Sequence, residues 1–128
     1  MAAPNIVGIT TVTGITTAIS LNSTDATTVI SNPADSSNVY KINSIIVSNV
    51  DGSNSADITI KLHQAAAGAG TSHAIASTVA VAADSTLVVL DKASSIYLEE
   101  DRSISATASA ADDLDVILSY EQISSWGE

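Results

Sequence analysis

A chain of 128 residues suits one domain, and at that size folding buries roughly 70% of the unfolded chain's surface, so a real core is possible. Its materials are Ile, Val, Leu and Ala. With no Phe, no Cys, one Met, one Trp and three Tyr, disulfide frameworks and thiolate metal sites are excluded. The net charge is −10, with Lys41, Lys61, Lys92 and Arg102 the only cations, and such a surface repels phosphate backbones and excludes nucleic acid as a partner.

The opening MAAPNIVGIT has neither a basic region nor a long apolar run and does not read as a secretion signal. No stretch approaches the ~18 apolar residues of a membrane span, so a soluble protein with no membrane partner is expected. Residues 8–20, GITTVTGITTAIS, then state nearly the same five residues twice at a spacing of six. That spacing is even, so both copies present the same faces of an extended strand. Ile9, Ile15, Ile19 and Leu21 fall on one side with Thr11, Thr13 and Thr17, while Thr10, Val12, Thr16 and Ala18 fall on the other. This describes a long strand, or two bent at Gly14. It is either an edge strand of the main domain or an arm that adds to a neighbouring subunit by β-augmentation. The NST at 22–24 is a formal glycosylation sequon that carries no meaning without secretion.

SNPADSSN, 31–38, is a Pro-containing loop that divides a 1–30 arm or strand from the main domain and would serve as its hinge. From there to residue 124 the signal is alternation of period two. In ADITIKLH, Ile58, Ile60 and Leu62 oppose Thr59, Lys61 and His63. STLVVLDK is a short apolar run of buried-strand length, SISATASA alternates Ser103, Ser105 and Thr107 against Ile104, Ala106 and Ala108, and LDVILSYEQ sets Leu114, Val116, Leu118 and Tyr120 on one face. Asp51-Gly52 predicts a hairpin between its flanking strands. AAAGAGTS (65–72), AADS (82–85) and LEEDRS (98–103) supply further breaks. The pattern predicts an all-β antiparallel β-sandwich over 39–124, jelly-roll-like, with an extended N-terminal strand or arm and a short tail at 125–128.

Chemistry is sparse. The two histidines are His63 and His73; Ser72 adjoins His73, but neighbouring side chains on a strand diverge, and no G-x-S-x-G elbow exists. GAGTS lacks the Lys of a phosphate loop. No enzyme, no catalytic residue and no cofactor are expected. Asp51, Asp57, Asp112, Asp113 and Asp115 are weak candidates for Ca²⁺, with Glu99, Glu100 and Asp101 able to join them if the loops meet at one end of the sandwich; against this, acidic loops usually serve as solvated turns. Tyr40 and Tyr120 fit strand patterns, Tyr97 stands apart from them, and Trp126 is either an interface anchor or a cover for one end of the domain.

The stretch from YKINSIIVSNVDG through ADITIKL, STVAVAADSTLVVLDK and IYLEEDRSI to VILSYEQI, residues 39 to 124, resembles small virion structural proteins of tailed bacteriophages, notably marine and cyanobacterial ones. In such proteins the YLEE turn often runs into Gly-Asp; here Asp101-Arg102 stands in that place. The resemblance implies a non-enzymatic β-sandwich assembled into the particle after synthesis in the host cytoplasm. The resemblance does not name the component; the opening repeat selects it, because a Thr/Ile arm that offers main-chain hydrogen bonds can lock neighbouring subunits together. The expectation is therefore a capsid decoration (cement) protein that stabilises the shell as a homo-oligomer, a trimer being the natural guess, and binds the major capsid protein or another virion protein. Ile9, Val12, Ile15, Ile19 and Trp126 are the expected assembly residues. Neck, tail-completion and fibre-associated placements are alternatives. A competing class is a jelly-roll module binding carbohydrate or Ca²⁺, its mouth formed by the loops at 51–57 and 65–73.

Overall fold

A computed structural model describes residues 11–124. The two assembly candidates Ile9 and Trp126 lie outside the described residues, as do the first ten positions and the tail. Alternating Thr, Ser and β-branched residues disfavour helix and suit a half-buried pleated surface. The described chain accordingly forms nine strands: β1 (Thr11–Ser20), β2 (Thr27–Asn32), β3 (Asn38–Asn49), β4 (Ala56–His63), β5 (Ser72–Val81), β6 (Thr86–Leu90), β7 (Ile96–Leu98), β8 (Arg102–Ala108) and β9 (Leu114–Ser124).

Two antiparallel sheets pack face to face. One has the order β1-β9-β3-β6, with β7 also paired to β3; the other has the order β2-β8-β4-β5. Most connections cross from one sheet to the other, which is the wrapped strand order of a jelly roll. Inward-facing residues of both sheets make one core, including Ile42, Ile45 and Val47 of β3, Ile58 and Ile60 of β4, Ile104 and Ala106 of β8, and Leu114, Val116 and Leu118 of β9. With no Phe in the chain, the fully buried core side chains are aliphatic, each contributing about 1.5–3 kcal/mol. The partly buried Tyr40 and Tyr120 pack against them with their ring centres 5.3 Å apart.

Both sheets are also tied by a buried asparagine at each end. Asn32 closes β2 and donates from Nδ2 to the carbonyls of Asn38 (2.9 Å) and Leu98 (3.0 Å) in the opposite sheet, while Ser36 Oγ donates to its Oδ1. Asn49 closes β3 and donates to Val81 O (2.9 Å), across the sandwich, and to Asn54 O (3.0 Å); its Oδ1 accepts from Asp51 N at 2.9 Å.

Several expectations are corrected here. Asp51-Gly52 does not close a hairpin: β3 and β4 belong to different sheets, and residues 50–55 carry the chain between them. Asp51 Oδ1 accepts from Ser53 N at 2.8 Å, a local turn that β-strand pairing does not require. The connection that does return within one sheet is the 64–71 loop joining β4 to β5. The apolar run of β6 is a sheet edge with Val88 exposed, not a buried strand. Of the two readings of the opening segment, arm or edge strand, the pairing is that of edge strands, one to each sheet, since β1 pairs with β9 and β2 with β8. The Pro33 loop is fastened at several points: Ser37 N donates to Glu100 Oε2 at 2.6 Å and Ser36 N to Pro33 O at 3.3 Å. At the LEEDRS turn, Asp101 takes φ +59°, a left-handed conformation in which Asp is among the few tolerated side chains.

Candidate functional site

The acidic candidates separate. Asp51, Asp57, Asp112, Asp113 and Asp115 gather at the end where β3, β5 and β8 finish, whereas Glu99, Glu100 and Asp101 precede β8 at the other end, so the two groups do not meet. No group of three or more carboxylates or histidines among the described residues has the geometry to hold a metal ion. What the first group does contain is a carboxylate pair. Asp51 is held below the usual range by Ser53 N–H and the Asn54 side chain, while Asp113 is pushed up by desolvation and then by the charge of Asp51 and a hydrogen bond with it. The loops at 51–57 and 65–73 lie at opposite ends of β4, an eight-residue strand about 25 Å long, and so do not form one mouth.

A serine–histidine pair appears that spacing did not reveal. His63 and Ser105 both point to the outer face of their sheet, and His63 Nε2 shares a 2.7 Å hydrogen bond with Ser105 Oγ. Residues 65–69 fold over this face. Gly68 N donates to Ser103 Oγ (2.8 Å), Ser103 Oγ donates to Ala65 O (2.7 Å), and Ala67 N donates to Ser31 Oγ (2.9 Å). Ser105 is only 4% exposed and His63 Nδ1 has no partner, so the pair lacks both substrate access and an orienting carboxylate. Its arrangement is that of a fastened loop. His73, by contrast, is exposed on β5.

Attention therefore falls on the strand edges. The sandwich has four: β1 and the β6/β7 side in one sheet, β2 and β5 in the other. Exposed edges invite foreign strands, and proteins blunt them with bulges, charges, proline or short length. β5 is interrupted by two register shifts against β4, with Thr78 at φ +51°. β2 is six residues long with a register shift at Thr28/Ile30 and lies beside the 65–69 turn. β6 is five residues long and β7 three. β1 differs from all of them. Its ten residues, TVTGITTAIS, hold no charge and no proline, and they pair with β9 from Thr11↔Ser124 to Ser20↔Asp115 without a register shift. Among the described residues its second edge faces no strand.

The sequence-derived assembly residues distribute along this strand. Ile15 and Ile19 are half-buried, with Ile19 packed against the core, so they seat β1 on the sandwich. Val12 is 49% exposed. Thr16, Ala18 and Ser20 are exposed between them on the outer face. Val39 of β3 and Ile123 of β9, registered with Val12 at the same end of the sheet, are buried yet stand apart from the main core. No known protein family, curated protein or solved structure matches this chain.

Proposed function

We propose that this chain is a non-enzymatic structural protein of a bacteriophage virion, a capsid decoration protein that self-associates and braces the shell formed by the major capsid protein. The observation that carries the reading is the edge of β1, which faces no strand among the described residues: ten regular, uncharged, proline-free residues on a fold whose other edges are bulged, short or lined by a loop. An edge of that kind offers main-chain donors and acceptors along its length, and a lattice-binding protein needs such a repeated attachment. The resemblance over residues 39 to 124 supplies the particle. The jelly-roll sandwich suits the role, because the outer face of the sheet that carries β1 continues to that strand's edge and most loops lie at the two ends. The acidic surface suits an outer location, where contact with packaged DNA is not required.

The test is a cryo-electron microscopy reconstruction of the phage that encodes the chain. The expected result is density for this sandwich on the head exterior, in symmetric clusters at the junctions of capsid subunits. Density confined to the neck, tail or fibres would overturn the decoration reading, and absence from the particle would overturn the virion reading altogether.

A further inference from the structure

We infer that the occupant of the β1 edge is the β1 edge of a second copy, paired antiparallel about a two-fold axis so that two sandwiches share one continuous sheet. The inference rests on the assembly reading above and names its partner. Charge decides the matter first. The chain carries −10, and the next strands of its sheet present Asp115 and Glu121 on β9 and, beyond it, Lys41 on β3, while β1 itself has no charge. Two strongly acidic bodies approach most cheaply along a strip that brings no like charges together. Among the other edges, that of β6 is half as long and is flanked by Asp84 and Asp91, and those of β2 and β5 are broken by register shifts.

Pattern fixes the parity of the register, and Thr16, near the middle of β1, is the centre assigned to it. In an antiparallel self-pair, residues face each other in pairs of constant sum, and an even sum keeps core-side residues opposite core-side residues. Centred on Thr16, such a pair sets Ile15 against Thr17, Gly14 against Ala18, Thr13 against Ile19 and Val12 against Ser20, each match small, β-branched or hydroxylic. A two-fold contact requires only that residue i meet j as j meets i, and every one of these pairs occurs twice in that way. Thr16 then sits on the axis, exposed on the outer face, where a substitution leaves the core untouched.

Light scattering of the full chain should give twice the 13.0 kDa chain mass. Thr16→Lys and Thr16→Glu should each be monomeric with the same circular dichroism as the parent, because like charges then meet on the axis. Mixing the two variants should restore the dimer. Because the chain has no cysteine, Thr16→Cys should form a disulfide-linked dimer under mild oxidation, since directly opposed residues of an antiparallel pair lie about 4.5–5.5 Å apart. Val88→Cys, on the opposite edge, should cross-link at least tenfold more slowly. A parent that is monomeric at all concentrations, a trimer, or equal cross-linking at both positions would overturn the two-fold pairing. Particle binding retained by such a monomer would leave the virion reading standing. A β1-linked dimer that fails to bind particles would overturn that reading instead.

Discussion

At the scale of single residues, the Asp51–Asp113 pair shows how two identical side chains divide roles. Asp51 is stabilised as an anion by donors from its own loop, and Asp113 bears the cost of lying next to it. The signs follow from linkage. Asp113, with its folded-state pKa raised, contributes stability at pH values below its unfolded pKa and loses that contribution as pH rises through the folded value. Asp51, with its pKa lowered, contributes above its unfolded pKa and loses the contribution as pH falls through the folded value. Asp113→Asn should therefore raise Tm slightly at pH 7, by a few degrees at most for so exposed a pair. The gain should shrink as pH is lowered into the range where Asp113 is protonated in the parent. Thermal melts of both proteins from pH 3 to 7 check this, and an equal shift at every pH would refute it.

At the scale of elements, two sheets with little aromatic filling depend on the asparagines that tie them at each end. Asn49→Ala removes three hydrogen bonds and leaves Val81 O, a buried acceptor at the end of β5, without its donor. The expected loss is about 2–4 kcal/mol in urea unfolding, since a stranded buried polar group costs about 1–3 kcal/mol beyond the bond itself. A loss below about 1 kcal/mol would mean that water or a shifted loop replaces the amide. Neither Asn32 nor Asn49 is recognisable in the sequence, because the bond of each that crosses the sandwich goes to a residue far along the chain, Leu98 and Val81 respectively. The strands themselves are legible: Ile58 and Ile60, or Leu114, Val116 and Leu118, show the core face directly by alternation. Their pairing is not. Asp51-Gly52 has the local chemistry of a hairpin turn, yet the jelly-roll wrapping sends β4 to the other sheet, and local turn preference loses to the burial of both sheets' inner faces. His63 lies on the outer face as alternation predicts, but its burial comes from a loop whose docking depends on Ser31 and Ser103. The β1 repeat is legible as a strand. Its bareness as an edge emerges only by comparison with β2, β5 and β6.

At the scale of the whole molecule, charge is the term most readily changed from outside. Four cations oppose fourteen carboxylates, and one end of the sandwich carries only aspartates: Asp25, Asp51, Asp57, Asp84, Asp112, Asp113 and Asp115. Folding concentrates these charges, and dimerisation through β1 brings two such bodies together. Salt screens both costs, since the Debye length falls from about 30 Å at 0.01 M to about 3 Å at 1 M. Raising NaCl from 10 mM to 0.5 M at pH 7 should therefore raise Tm by several degrees and tighten the dimer in parallel. Near pH 4.1, where the sequence carries no net charge, the same titration should leave Tm nearly flat. Sodium chloride is the right probe, because sulfate strengthens apolar burial whatever the charge. Scanning calorimetry and light scattering on the same samples separate the two effects. A Tm that rises with salt equally at both pH values would show that the salt acts on burial, and self-repulsion would then have no measurable part in the stability of this sandwich.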